Sequence, residues 1–212
     1  MQWIAMLTML IDHIGATWFE DHLIFRVIGR MAFPIYAYYV VQGMHFTSDR
    51  RRYVIRLGLL ALLSQAPFSW LFHTWALNVI ATFFICVLSM YGFEDKRLSR
   101  RARWMCLIAG AVLLLIIPCD YGIYALILML LYRYGKGLTV LLGHLGLNIL
   151  FVAARLTSAI QYWSIFPSVV FSVAREDTAG MIGRRSVPKI IWRAFYPGHL
   201  LILACINEVA AF

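Results

Sequence analysis

The feature that most constrains the fold is a series of apolar runs separated by short polar connections. At a helical rise of about 1.5 Å per residue, a run of about 20 residues crosses the hydrocarbon core of a bilayer. The pattern therefore predicts an all-α, polytopic membrane bundle of about nine transmembrane helices, forming a single domain over residues 1–212. The runs cover approximately residues 3–19, 27–46, 53–72, 75–92, 104–118, 121–134, 138–154, 158–174 and 190–212.

Composition agrees with a membrane class. Hydrophobic residues make up 62% of the chain and charged residues 14%, whereas soluble domains average about 45–50% and 25%. The net charge of +9 comes from short basic clusters between apolar runs, so we predict no nucleic-acid partner. The four cysteines form no CxxC pair and lie within or at the end of apolar runs, and we predict neither a disulfide framework nor a metal site.

The distribution of basic residues predicts the orientation of the chain. Connections 47–56, 93–103, 133–137 and 175–193 hold 16 of the 19 Lys and Arg residues. Because short cytoplasmic connections of bacterial membrane proteins are enriched in Lys and Arg, these alternate connections are predicted to face the cytoplasm. The N-terminus is then inside and, after nine crossings, the C-terminus is outside.

An ionisable pair, Asp12 and His13, interrupts the first apolar run near its centre. A charged Asp at the bilayer midplane costs about 2.5–3.5 kcal/mol, and intramembrane ionisable residues usually face a bundle interior and mark function. The structural alternative is that Asp12 hydrogen-bonds a neighbouring helix while His13 packs as a neutral polar group.

Other intramembrane polar residues cluster towards the predicted outer side. His199 comes nine positions into the last run, about 14 Å deep, level with Asp12, His13 and Asn148. We predict a polar funnel that opens outward and ends at a midplane cluster of Asp12, His13 and His199. The residues on its outer part are Arg26, Arg30, Gln65, Asn78, Asp120, Tyr121 and Gln161.

The residue types suggest separate roles for the adjacent pair. Neighbouring helical positions diverge by about 100°, so Asp12 and His13 are not expected to point squarely into one small site. An imidazole acts as base, acid or acyl acceptor near pH 7, so His13 is the candidate for chemistry and Asp12 for an ion pair with Arg26 or Arg30. For His199, the alternative is a packing role at the kink introduced by Pro197.

Several motifs in order along the chain resemble the TraX family. The most specific are residues 8–15 (TMLIDHIG) and 26–34 (RVIGRMAFP). Further matches, spread over nearly the whole chain, are the Gln42-Gly43 pair, residues 53–57 (YVIRL), 77–79 (LNV), 120–122 (DYG) and 195–200 (FYPGHL).

The resemblance implies a multi-pass N-acetyltransferase of the bacterial cytoplasmic membrane. Such an enzyme moves acetyl from cytosolic acetyl-CoA to an amine presented from the outer side, such as a pilin N-terminus. With the depth argument, it suggests His13, Asp12, His199 and Arg30 as catalytic residues. The suggested substrate-binding residues are Arg26, Asn78, Asp120, Tyr121, Gln161 and Tyr196, and the suggested CoA-binding residues are Arg50, Arg51, Arg52, Arg100 and Arg101.

Alternatives stay open from the sequence. The basic clusters serve either CoA binding or topology alone, and transfer is either direct or through an acetyl-histidine. Arg30, Asn78 and Tyr196 are alternative donors to the oxyanion. A proton-coupled transporter would use the midplane cluster as a proton relay, and a noncatalytic assembly factor would leave Asp12 and His13 replaceable. The sequence sets neither the acceptor nor the oligomeric state.

Overall fold

The computed structural model describes residues 1–173 and 187–210, and within them the chain is helical with no β-strand. A short 3₁₀ helix at Ala159–Ser164 precedes α9. The α-helices are α1 Gln2–Trp18, α2 Leu23–Gly29, α3 Ala32–Phe46, α4 Arg50–Phe72, α5 Val79–Glu94, α6 Arg100–Ile116, α7 Gly122–Tyr134, α8 Leu138–Ala153, α9 Ile165–Val173 and α10 Lys189–Ala210.

Each predicted apolar run corresponds to helix, with two differences. The second run is divided by a break at Arg30 and Met31, so that α2 and α3 replace one helix. The run at 158–174 begins as the 3₁₀ turn and becomes α-helical only at Ile165. Most of the predicted connection 175–193 lies outside the described residues, and its last residues, from Lys189, already belong to α10.

The number of membrane crossings stays a prediction. Among the described residues, three segments are long and apolar enough to cross a membrane by length and composition: Leu23–Phe46 taken across its break, Arg50–Phe72 and Lys189–Ala210. The apolar segments Val79–Glu94, Gly122–Tyr134, Leu138–Ala153 and Ala159–Val173 are shorter. The helices are thus compatible with a membrane protein, while nine crossings and the predicted orientation are not established.

The core lies where α3, α5 and α7 meet. Ala37, Val87, Ala125, Leu128 and Met129 are completely buried there. In a membrane bundle such side chains stabilise helix packing through van der Waals contact, because lipid tails are as apolar as they are. Helices α1, α4, α8 and α9 pack against this centre, and α10 packs against α1 and α4.

Polar contacts sort the connections into two ends of the bundle. At the basic end, Glu94 of α5 pairs with Arg133 of α7 at 2.7 Å and with Arg50 of α4 at 3.4 Å. At the opposite end, Leu77 exchanges backbone hydrogen bonds with the connection that precedes α7, donating to Pro118 and accepting from Asp120. The basic connections that the structure describes therefore share one end, as their charge pattern predicts.

Candidate active site

A cavity of about 540 Å³ lies between α1, α2, the start of α3 and the connection that leads into α7. Asp12 and His13 both line it. The cavity is wide enough for two neighbouring residues of a helix to border it at different points. The expectation that Asp12 and His13 would not point into one site therefore applies only to a small site. Its remaining polar wall consists of Arg26, Arg30, Thr74, Asp120, Tyr121, Tyr124, Thr157 and Gln161.

The structure places His13 and His199 side by side. Nδ1 of His13 lies 2.8 Å from Nε2 of His199, and the two rings stack with centroids 5.0 Å apart. Nδ1 of His199 in turn lies 2.6 Å from the carbonyl oxygen of Phe195. The two histidines are 186 positions apart in sequence, and helix packing alone joins them.

The hydrogen bonds determine which nitrogens carry protons when both rings are neutral. A carbonyl oxygen only accepts, so His199 Nδ1 donates to Phe195 and its Nε2 is left as an acceptor. His13 Nδ1 is therefore the donor to His199, and the lone pair of His13 lies on Nε2. No side chain among the described residues hydrogen-bonds this Nε2, on a ring that lines the cavity. His13 thus presents a basic nitrogen to the cavity.

Asp12 pairs with both arginines that the sequence suggested. Its Oδ1 lies 2.9 Å from Nη1 of Arg26 and 3.8 Å from Nη2 of Arg30. Gly29, on the turn between the two arginines, packs directly on the Asp12 side chain, and a Cβ at this position would overlap it. The glycine allows α2 to approach α1 closely enough for the ion pairs to form.

Asp120, Tyr121 and Gln161 all border the same cavity. Nη1 of Arg30 donates to Oε1 of Gln161 at 3.5 Å, and its guanidinium lies 5.9 Å from the centre of the Tyr121 ring. Asp120 belongs to the connection between α6 and α7. Removal from water raises the pKa of its carboxyl to about 6, while the positive charge of Arg30 opposes this rise.

Asn78 belongs to the framework and not to the cavity wall. Its Oδ1 caps α5 by accepting from the backbone N–H groups of Ile80 and Ala81. Its Nδ2 donates to the carbonyl of Ala61 at 2.9 Å and to Oε1 of Gln65 at 2.8 Å. All its hydrogen-bonding groups are used and it is completely buried, so we do not retain it as a substrate contact or an oxyanion donor.

Tyr196 lies against the histidine pair with an unused hydroxyl. Its ring centroid is 6.3 Å from that of His13 and 5.7 Å from that of His199. The Tyr196 hydroxyl is buried, and its O–H has no acceptor among the described residues. The buried hydroxyl of Tyr36 nearby also has no hydrogen-bond partner there. Tyr196 is among the residues that the sequence suggested for the site. Tyr36 was not predicted, because it looks like the other tyrosines of its aromatic apolar run.

The predicted CoA-binding arginines line neither large cavity. Arg50 pairs with Glu94 and lies over the ring of Tyr91 at 4.8 Å. Arg52 pairs with Asp49 at 3.0 Å. Arg51, Arg100 and Arg101 are exposed at the starts of α4 and α6. Their positions fit the topological interpretation, and CoA binding by these arginines stays a prediction.

A second buried polar cluster centres on His144 of α8. Its Nε2 lies 2.7 Å from the hydroxyl of Tyr124, and its Nδ1 lies 2.7 Å from Oγ of Ser168. Tyr124 also donates to Oδ1 of Asn148 at 2.7 Å, and Ser168 lies 2.6 Å from the hydroxyl of Tyr132. Tyr124 and Ser168 lie on α7 and α9, so the local sequence around His144 does not indicate this cluster.

Comparison with known proteins identifies the family. The family model described as TraX protein matches residues 1–207. The chain belongs to the TraX family. All the residues that line the cavity beside His13 fall within the part of the chain that the family model matches.

Two curated proteins are similar in sequence to the chain. A probable fimbrial assembly protein FimC, serogroup H1, from Dichelobacter nodosus is 24% identical over 230 residues, covering 94% of this TraX-family chain and 91% of the relative. An uncharacterised protein of Rickettsia prowazekii (strain Madrid E) is 26% identical over 132 residues, covering 60% of this chain and 51% of the relative. No solved structure matches the chain.

Proposed function

We propose that this protein is a membrane-embedded N-acetyltransferase that moves acetyl from acetyl-CoA to an amine of a pilin or similar secreted protein. The observation that carries the proposal is the His13 and His199 pair, which presents an unpaired imidazole nitrogen to a cavity. Membership of the TraX family and the fimbrial assembly relative support a pilin subunit as the acceptor class.

The histidine pair suits the removal of a proton from an attacking amine. As the amine nitrogen bonds to the thioester carbonyl carbon, His13 Nε2 takes its proton. The imidazolium that forms is stabilised because His13 Nδ1 donates to His199, which donates to the Phe195 carbonyl. When the C–S bond breaks, His13 returns the proton to the leaving sulfur, and the products are an amide and a free thiol.

Charge that develops on the thioester oxygen requires a donor close to His13. Tyr196 is suited to this role because its buried O–H lacks an acceptor and its ring contacts both histidines. A donor held in place before the reaction stabilises an oxyanion without reorganisation, and removing one typically costs about 10²–10³-fold in turnover.

The acidic and basic groups of the cavity support recognition of the amine end. Asp120 presents a carboxylate to the cavity, and the N–H groups of the neutral amine would donate hydrogen bonds to it. Asp12 is already neutralised by Arg26 and Arg30, so its role is to hold these arginines on the cavity wall. We therefore assign amine binding to Asp120 and positioning to Asp12.

The direct test is acetyl transfer by purified protein. We would incubate the protein in detergent or nanodiscs with acetyl-CoA labelled in the acetyl group and a peptide copying a pilin N-terminus, then measure labelled peptide and released thiol. Stoichiometric appearance of both is expected. The same peptide with a blocked N-terminus is the matched control and should yield neither product.

Two results would contradict the proposal. One is the absence of labelled peptide and free thiol with every amine offered, when the protein is demonstrably folded. The other is unchanged transfer in His13→Ala. Proton uptake coupled to movement of a solute across proteoliposomes, without transfer, would instead favour the transporter alternative.

A further inference from the structure

A second cavity, of about 630 Å³, lies between α3, α4 and α10 and extends from the basic end of the bundle. Its side wall is apolar and includes Leu57, Leu60 and Leu63 of α4 and Phe83 of α5. Of the site residues described above, Tyr36 and Tyr196 border this space. The shape and charge of the second cavity indicate which class of ligand it binds.

The mouth of this cavity, at the basic end of the bundle, is cationic. Arg56 of α4 and Lys189 and Arg193 of α10 line it, and none of its lining residues is acidic. Lys189 and Arg193 have no ion-pair partner among the described residues, while Arg56 uses only Nε, in a bond to the carbonyl of Arg52. Unpaired guanidinium groups bind phosphate with charge-assisted hydrogen bonds.

The opposite end of the second cavity, away from its cationic mouth, meets the active-site cavity. Met9, Tyr36 and Val79 line both spaces. The ten positions of α3 between Phe46, near the cationic end, and Tyr36 cover about 15 Å of helix. At this junction lie the two buried hydroxyls of Tyr36 and Tyr196, neither of which has an acceptor.

We infer that this second cavity is the binding site of the thioester donor, with the phosphate groups of CoA at Arg56, Lys189 and Arg193 and the acyl thioester at the junction beside Tyr196. This inference rests on the proposed function and adds to it the location of the donor. The long arm of CoA carries amide and thioester groups, which provide acceptors for the two tyrosine hydroxyls.

An anionic phospholipid would fit the cationic end equally well. Its acyl chain, however, carries no acceptor for the buried hydroxyls at the junction. A buried hydroxyl without a partner is unfavourable, because nothing replaces the hydrogen bonds that it makes to water. The cavity combines a cationic mouth with polar hydroxyls at the junction, and this combination favours a phosphorylated thioester carrier over a lipid.

The first experiment measures equilibrium binding of unacylated CoA to the purified protein in nanodiscs of zwitterionic lipid. The double variant Arg56→Gln/Arg193→Gln should bind CoA about tenfold or more weakly, as expected for losing at least one charge-assisted hydrogen bond. Arg97→Gln is the matched control, because Arg97 is exposed, lines neither cavity and has been given no role in binding; the affinity of this variant should equal that of the wild type.

The second experiment uses a donor that lacks one phosphate. Dephospho-CoA should bind the wild-type protein more weakly than CoA does, and this difference should shrink in the double variant. Such coupling between a ligand phosphate and two side chains is not produced by a general loss of folded protein. In acetyl transfer, the double variant should raise KM for acetyl-CoA much more than it lowers kcat.

The outcomes separate the location of the donor from the reaction itself. Normal acetyl transfer with CoA affinity unchanged in the double variant would overturn this site and leave the proposed function intact. Charge-dependent CoA binding without transfer to any amine would support the site and contradict the function. Failure of the wild type to bind CoA, or equal loss of affinity in Arg97→Gln, would overturn the inference.

Discussion

His13 of α1 and His144 of α8 are both buried histidines of apolar helices, but the protein uses their ring nitrogens differently. His144 is completely buried, and both of its nitrogens lie 2.7 Å from hydroxyl partners. His13 is 8% exposed, and only Nδ1 is engaged, so that Nε2 faces a cavity. A histidine whose nitrogens are both bonded stabilises the fold, whereas one with a free nitrogen beside a cavity is available for chemistry.

The difference extends to the surroundings. Ion pairs of Asp12 with Arg26 and Arg30 border the cavity next to His13. The neighbours of His144 are neutral hydroxyl and amide groups that complete one another's hydrogen bonds. The first region resembles a reaction site with unused polar groups, and the second a satisfied internal network. The following predictions test this contrast.

The largest effect is expected for His13→Ala. If His13 is the base, turnover should fall about 10²–10⁴-fold with little change in substrate affinity, since a general base contributes mainly to the transition state. Steady-state kinetics with labelled acetyl-CoA would measure this. His22→Ala, which removes an exposed histidine of the first connection, should retain wild-type turnover. Equal losses in both variants would contradict a specific role for His13.

For His144→Ala, the main effect should be on stability. The substitution leaves buried hydroxyls of Tyr124 and Ser168 without one partner each, at a cost of about 1–3 kcal/mol per group. The midpoint of thermal unfolding, followed by tryptophan fluorescence, should fall by several degrees, because about 1 kcal/mol corresponds to 2–4 °C at this chain length. A variant of normal stability but without turnover would place His144 in the chemistry and reverse the contrast.

Asp12→Asn should lower both stability and activity. It removes the charge that Arg26 and Arg30 share, and breaking a fully buried pair costs about 3–5 kcal/mol. Because the Arg26 side chain is 31% exposed, solvent screening reduces the expected loss to about 1–3 kcal/mol. Unfolding and transfer assays would measure both effects.

Asp49→Asn provides the control for this ion pair. It removes a surface pair with Arg52 but keeps an oxygen that caps α4, so stability should change by less than about 1 kcal/mol. Similar losses in the Asp12 and Asp49 variants would show that the cavity ion pairs have no special importance.

The smallest effect concerns pH and Asp120. Since the pKa of this carboxyl is raised to about 6, acidification through pH 6 neutralises it and should raise KM for the amine several-fold. In Asp120→Asn, KM should already be high at pH 7, and the part of the profile that is due to Asp120 should disappear.

The same pKa predicts the sign of a stability effect. Because the folded-state pKa lies above the ordinary value of 3.8, ionisation of Asp120 destabilises the fold. Its contribution should become less favourable as pH rises from about 4 to 6 and should stay constant above that range. Stability profiles of wild type and Asp120→Asn that run parallel between pH 4 and 7 would contradict the raised pKa.

Much of the secondary structure was predictable because its signals are local. The length of each apolar run and the polar residues between runs indicated the helices, although the run predicted from residue 75 is helical only from Val79, after the Asn78 cap. The break at Arg30 and Met31 was missed because no glycine or proline stands at either position. The role of Asn78 was missed because a cap and a substrate contact require the same type of side chain.

Sequence by itself determined the family, the helical class, the enrichment of Lys and Arg in alternate connections and the central position of Asp12, His13 and His199 in their runs. All of these depend on composition and spacing along one helix. Only the tertiary structure decided which polar groups meet. The stacking of His13 on His199, the closed network of His144 and the grouping of Arg56, Lys189 and Arg193 at one cavity depend on helix faces that pack together, and contacts between residues far apart in the chain leave no periodic signal in it.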